Sequence, residues 1–92
     1  MTDRVSIEGR ITIENSDEMR RKLRMVLRSK PAQVTVDLSG ATFMDTSAVA
    51  TLLEAVRIAR GQGTRLVLAC LQGQPAHLFE LSLLHPLFEI AE

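Results

Sequence analysis

The chain has 92 residues, of which 46% are hydrophobic and 24% charged, and its eleven Lys and Arg balance eleven Asp and Glu. This length fits one domain, expected over residues 1–92, and the neutral charge argues against a dedicated nucleic-acid binder, which needs a basic surplus to neutralise phosphates. No apolar run approaches the roughly 20 residues of a transmembrane helix, and the lone Cys70 cannot form an internal disulfide, so we expect a cytoplasmic protein without direct membrane insertion.

The first predicted element is an antiparallel β-hairpin with one buried face. Apolar and polar residues alternate on both sides of Gly9, which can adopt the positive φ of a tight turn. The apolar members of this pattern are Val5, Ile7, Ile11 and Ile13.

A helix is predicted next, beginning at Asn15 or Ser16, with Glu18 placed as in a capping box. Its inward stripe at helical spacing is Met19, Leu23, Val26 and Leu27. Its other faces carry Arg20, Arg21, Lys22, Arg24 and Arg28, which indicate either a solvated face or a docking surface for an acidic patch on a partner. The helix is expected to end before Pro31, because the residue preceding a proline is pushed out of the α region.

A βαβ unit occupies the middle of the chain. A strand containing Val34, Val36 and Leu38 leads through a turn at Ser39-Gly40 to a second helix. The inward residues of that helix are Val49, Leu52, Leu53, Val56 and Ala59. The continuous apolar run 66–70 predicts a strand covered on both faces, with Cys70 as a buried core thiol. Such a unit predicts a parallel, right-handed connection.

The last predicted elements are a third helix and a short final strand. Pro75 is expected in the first turn of the helix, and His85-Pro86 is expected to end it. The inward helix residues are Ala76, Phe79 and Leu83, with Leu78 as a further candidate, and the final strand contains Leu87, Phe88 and Ile90. The order of elements predicts a single α/β domain with a mostly parallel β-sheet, an N-terminal antiparallel hairpin and three main helices.

Patterns for catalysis and metal binding are weak in this sequence. His77 and His85 are not spaced as zinc ligands, and there is no second cysteine. Ser47 lacks the Gly-x-Ser-x-Gly elbow of hydrolases, and Gly61-Gln62-Gly63 follows a helix instead of a strand. We therefore expect no catalytic residues, no metal site, no cofactor and no enzyme activity.

The junction before the second helix carries an acid and two hydroxyls, Asp45, Thr46 and Ser47, which is more than a helix start needs for folding. Asp45 or Thr46 can cap the helix, which is worth about 1 kcal/mol. Capping needs only one such residue, and a helix N-terminus also accommodates phosphate and other anions. Pure capping and a capped, functional hydroxyl both remain open on the pattern alone.

Residues 36–49 read Val-Asp-Leu-Ser-Gly-Ala-Thr-Phe-Met-Asp-Thr-Ser-Ala-Val. This segment resembles the strand–loop–helix of STAS domains, the fold of bacterial anti-sigma factor antagonists and of the cytoplasmic tails of sulfate transporters. The resemblance extends to Gly9-Arg10-Ile11, to residues 57–63 and to Leu87-Phe88, and so covers nearly the whole chain. It implies a STAS-like single domain.

The resemblance also implies a non-enzymatic regulator of transcription that acts by partner switching. In such antagonists, the unmodified protein binds an anti-sigma factor that has serine kinase activity, and phosphorylation ends that binding. Ser47 matches the phosphorylated serine. The implied partner-binding residues are Asp45, Thr46, Ser47, Ala48 and Val49.

A second interpretation follows from two positions that depart from the antagonist pattern. Ala48 occupies a position where the family usually has Gly, and Thr12 one where antagonists typically carry Asp. The alternative is the small STAS subunit of a lipid-transporting ABC system, which docks on the ATPase subunit and regulates it without being phosphorylated. In that role Thr46 is at least as important as Ser47.

Overall fold

The main β-sheet of the computed structural model, which describes residues 2–91, has four parallel strands. They are β1 (Thr2–Ser6), β3 (Gln33–Asp37), β5 (Arg65–Ala69) and β6 (Glu89–Ile90), in the spatial order β1-β3-β5-β6. Strands β2 (Gly9–Ile11) and β4 (Ala41–Met44) form a second, smaller parallel sheet. The α-helices in this part of the chain are α1 (Ser16–Arg28), α2 (Thr46–Gly61) and α3 (Gly73–Leu81). The predicted α/β class with three helices and a mostly parallel sheet is confirmed.

The core is aliphatic and lies between the main sheet and the helices. Val36 of β3 is paired with Val5 of β1 on one side and Leu68 of β5 on the other, and all three are buried. Helix α1 packs against α2 and β1, α2 against β5, and α3 against β4. Among residues 2–91, none of the helices combines the length and hydrophobicity needed to cross a bilayer.

The predicted antiparallel hairpin is wrong. Strand β1 pairs in parallel with β3, and β2 pairs in parallel with β4. Only Ile7 and Glu8 separate β1 from β2, and Ile7 is buried and donates its backbone N–H to Asp37. A two-residue hairpin turn needs positive φ at its tip, which a β-branched core residue such as Ile7 disfavours. Gly9 does have a positive φ of 78°, but it lies beside Gly40, whose carbonyl its N–H contacts at 2.8 Å.

Two predicted inward residues lie at the surface. Ile13 is 76% exposed, because β2 ends at Ile11 and the chain turns towards α1. Leu83 is 96% exposed, because α3 ends at Leu81. His85-Pro86 therefore does not end this helix but lies in a short 3-10 helix, His85–Leu87.

The final strand is also shorter than predicted, since β6 begins only at Glu89. Phe88, just before it, is buried and packs edge-on against Phe79 of α3, with ring centroids 5.0 Å apart. Pro75 lies in the first turn of α3, as predicted.

The placement of Cys70 in the core is wrong. Strand β5 ends at Ala69, and Cys70 has a positive φ of 60° in the turn that leads towards α3. This backbone conformation carries the residue out of the sheet, and Cys70 is exposed. A continuous apolar run does not mark the residue at which the strand ends.

The inward faces of the first two helices agree largely with the predicted stripes. The buried members of the stripes are Met19, Leu23 and Leu27 on α1 and Val49, Leu52, Val56 and Ala59 on α2. Val26 and Leu53 are only partly buried. Asn15 occupies the N-cap position of α1, but its side chain accepts a hydrogen bond from the N–H of Thr12 and caps no helical N–H.

Candidate functional site

Asp45 lies between β4 and α2 and caps the helix. Its backbone is extended, with φ −107° and ψ −176°, so its side chain can fold back over the first turn. Asp45 Oδ1 accepts hydrogen bonds from the backbone N–H groups of Ser47 at 3.0 Å and Ala48 at 3.2 Å. These contacts satisfy helix N–H groups that have no partner within the helix. Capping by Asp45, one of the two predicted candidates, is confirmed.

The same carboxylate also holds the loop that follows β2. Asp45 Oδ2 accepts a hydrogen bond from the N–H of Ile13 at 3.0 Å, and the Asp45 N–H donates to the carbonyl of Ile11 at 3.2 Å. The loop and the start of α2 are therefore fixed relative to each other. Exposed Ile13 consequently lies next to the helix N-terminus.

The Ser47 hydroxyl is oriented by Asp45. It donates a hydrogen bond to Asp45 Oδ1, with 2.5 Å between the two oxygens. This hydrogen bond is the main reason that the pKa of Asp45 lies below its ordinary value, and the N–H donors of Ile13, Ala48 and Ser47 lower the pKa further against the opposing effect of desolvation. Asp45 is therefore ionised at neutral pH, and the site carries a negative charge.

The five residues predicted to bind a partner divide into two groups. Thr46 is exposed, and Asp45 and Ser47 are half-buried. Ala48 and Val49 are buried in the core, so their side chains cannot contact a docking protein in this conformation. The Ala48 methyl group therefore packs inside the domain, and the helix start presents Asp45, Thr46 and Ser47 at the surface.

Gln74 is part of this region and was not singled out in the sequence. Its side-chain amide accepts a hydrogen bond from the N–H of Met44 at 2.8 Å and donates one to the carbonyl of Met44 at 2.9 Å. Helix α3 thereby holds the residue that precedes Asp45. An isolated Gln on a helix carries no pattern that predicts such a contact, because its partner is a backbone group 30 residues away.

A cation–π contact joins the two strands of the small sheet, β2 and β4. The Arg10 guanidinium lies over the ring of Phe43, 4.5 Å from the ring centroid. This places a positive charge on the small sheet that leads into the site.

Comparisons with known proteins agree with this architecture. A family model described as "Mlab, STAS domain" matches residues 1–89. The solved structure of the anti-sigma factor antagonist SpoIIAA in its unphosphorylated form is similar, with a TM-score of 0.71, 14% sequence identity, and coverage of 97% of this chain and 77% of that chain. At this identity the likeness to SpoIIAA shows a shared fold. The family match spans nearly the entire sequence, and the chain belongs to the STAS domain family.

Proposed function

We propose that the protein is a non-enzymatic regulator that acts as an anti-sigma factor antagonist in the cytoplasm, and that phosphorylation of Ser47 controls its partner switching. The observation that carries this proposal is the hydrogen bond from the Ser47 hydroxyl to Asp45 at the start of α2. The donated hydrogen holds the hydroxyl in one orientation, while its lone pairs stay available for an incoming phosphoryl group. The partner in this proposal is an anti-sigma factor with serine kinase activity.

The surroundings of Ser47 explain how one phosphate acts as a switch. A phosphate adds about −1.5 to −2 charge at pH 7, beside the ionised Asp45. Within a docked interface, this charge brings like-charge repulsion and desolvation that together cost several kcal/mol. Each 1.4 kcal/mol lowers affinity tenfold, so a single phosphate can reduce binding about 100-fold.

The same phosphate leaves the fold intact, because Ser47 lies in the first turn of α2 and only half inside the protein. Negative charge is favourable near a helix N-terminus. The proposal therefore separates the effect of phosphorylation on binding from any effect on stability.

A binding titration tests this proposal. Labelled protein is titrated with a purified anti-sigma factor of the serine-kinase type, using wild type, Ser47→Asp and the matched control Thr46→Asp, which places the same charge one residue away. We expect Ser47→Asp to weaken binding at least tenfold and its unfolding free energy to stay within about 1 kcal/mol of wild type. Unchanged binding of Ser47→Asp to a partner that binds wild type would contradict the switch.

A second candidate function is regulation of the ATPase subunit of a lipid-transporting ABC system. The observation that favours it is the exposure of Thr46, whereas Ser47 is half-buried and its hydroxyl is already hydrogen-bonded to Asp45. In this case an ATP-binding cassette protein copurifies with the chain, Thr46→Asp weakens the complex more than Ser47→Asp, and Ser47 carries no phosphate.

A further inference from the structure

Ser47 lies on the flank of α2 that faces α1. Ser47, Thr51, Glu54 and Ile58 recur at helical spacing along one stripe of α2. Thr51, Glu54 and Ile58 line a narrow seam with Arg20, Leu23, Arg24 and Leu27 of α1. The seam therefore begins at Thr51, one helical turn beyond the candidate phosphorylation site, and continues between the two helices.

Arg20 is connected to the first turn of α2 by two successive hydrogen bonds. Its Nη2 donates to Thr51 Oγ1 at 3.4 Å, and the Thr51 hydroxyl donates to the backbone carbonyl of Ser47 at 2.9 Å. Arg20 also pairs with Asp17 within α1, and its Nε contacts Glu54 at 3.2 Å. The guanidinium is partly shielded from solvent and held at the end of the seam nearest Ser47.

Arg24 lies one turn further along α1 and serves as an internal comparison. Its Nη2 pairs with the other oxygen of Glu54 at 2.5 Å. Among the described residues, it makes no hydrogen bond to Thr51 or to the first turn of α2. The two arginines thus share Glu54 but differ in their connection to Ser47.

We propose that Arg20 is the internal counter-ion of the phosphate on Ser47. This inference rests on the proposed function, because it presupposes phosphorylation of that serine. The phosphate repels the Asp45 carboxylate, to which the unmodified hydroxyl is bonded, and rotates away from it. Arg20 is the guanidinium connected to this turn of α2, and a guanidinium pairs with phosphate oxygens through two parallel hydrogen bonds.

In this pairing, the phosphate on Ser47 replaces the Glu54 carboxylate as an ion-pair partner of Arg20. Arg20 leaves Glu54 for the phosphate, while Glu54 keeps its contact with Arg24. The exchange gives the phosphorylated form a defined structure along the α1–α2 seam, without unfolding either helix. A partner can then distinguish the two forms by the position of Arg20 as well as by the added charge.

The test uses the full chain with phosphoserine installed at position 47 by genetic encoding, so that neither a kinase nor a partner is needed. Phosphorus NMR follows the second ionisation of the phosphate, whose ordinary pKa is about 6. We expect Arg20→Met to raise the pKa of the phosphate by about 1 relative to the phosphorylated protein with Arg20 in place, since a neighbouring cation favours the dianion. Arg24→Met is the matched control, and it leaves the phosphate pKa unchanged.

Equal phosphate pKa values in folded Arg20→Met and in the protein with Arg20 would overturn the proposal, as would an equal rise in Arg24→Met. If Arg20→Met does not fold, the Nε–H signal of Arg20 decides the question without that substitution: a large shift upon phosphorylation supports the pairing and an unchanged signal overturns it. Failure here leaves the effect of Ser47→Asp on partner binding intact, whereas failure of the proposed function appears in that binding titration and in whether a kinase phosphorylates Ser47, neither of which depends on Arg20.

Discussion

The Asp45 carboxylate and the backbone N–H of Ile13 form a 3.0 Å hydrogen bond across 32 positions of sequence. Through it, the residue that caps α2 also holds the loop before α1. The candidate site is thus built from two segments distant in sequence, and the single carboxylate of Asp45 fixes their relative position.

Replacing Asp45 with Ala should lower the free energy of unfolding by about 1–2 kcal/mol, because the helix loses its cap. The backbone N–H groups of Ile13, Ser47 and Ala48 lose their acceptor together. Urea unfolding measures the loss. Asp45→Asn is the matched control, since Asn caps nearly as well as Asp, and it should retain most of the stability. Equal losses in both variants would show that the charge of Asp45, and not its capping geometry, stabilises the helix.

Stability should fall in acid partly through Asp37. The Ser39 backbone N–H, the Ser39 hydroxyl and Arg4 lower the pKa of Asp37 from 3.8 to about 2. Because the folded-state pKa is the lower one, the stabilising contribution is fully present above the unfolded value of about 3.9 and is lost as the pH falls towards 2. The pKa of Asp45 is shifted in the same direction.

Urea unfolding of wild type and Asp37→Asn at a series of pH values from 6 to 2 would measure this contribution. We expect the difference in stability between the two proteins to shrink as the pH falls below about 4. A difference that stays constant over this range would contradict the assignment of the lowered pKa to Asp37.

Leu52→Ala should cost about 2–5 kcal/mol, the range for emptying a buried leucine site. Leu52 is completely buried on the inner face of α2. Leu83→Ala is the control, because Leu83 is almost fully exposed and a surface substitution changes stability by less than about 0.5 kcal/mol. Denaturant unfolding should show a much larger loss of unfolding free energy for Leu52→Ala than for Leu83→Ala. Similar losses in the two variants would contradict the exposed position of Leu83.

Gln74→Leu should increase local opening of the backbone at Met44. The substitution keeps the side-chain size but removes the acceptor and the donor that bind the Met44 peptide groups. A buried backbone group left without its partner costs about 1–3 kcal/mol. Hydrogen exchange at the Met44 amide should accelerate at least fivefold, and unchanged exchange would show that β4 is held by its pairing with β2 alone.

The sequence predicted the helices and the parallel βαβ unit of β3, α2 and β5 because their signals are periodic and local. The stripe of Met19, Leu23 and Leu27 marks a helix face, and the run 66–68 marks a covered strand. Each signal depends on residues that are close in the chain, and the structure places these residues in the core.

The strand partners of the N-terminal segment could not be predicted in this way. Alternating Val5, Ile7 and Ile11 indicates one buried face equally well for a hairpin and for two strands that pair in parallel with β3 and β4. The choice depends on contacts with residues about 30 positions away, which leave no local pattern. The hydrogen bonds of Ile13 with Asp45 and of Gln74 with Met44 escaped prediction for the same reason.

At the junction before α2, the sequence predicted the helix cap but not which of the neighbouring side chains are exposed. Asp before two hydroxyls indicated a cap, and Asp45 provides it. The apolar stripe of α2 predicted the burial of Val49, although the resemblance to STAS domains implied that this residue binds a partner. The burial of Ala48 follows from the orientation of α2 over the sheet, and no pattern in the sequence indicated it.

The most direct measurement is the intact mass of the protein after incubation with ATP and a purified anti-sigma factor of the serine-kinase type that binds it. We expect wild type and Thr46→Ala to gain the mass of one phosphate, mapped to Ser47 by fragmentation, and Ser47→Ala to gain none. An unmodified wild-type mass with a kinase that binds the protein and hydrolyses ATP, or a phosphate mapped to another residue, would contradict the account.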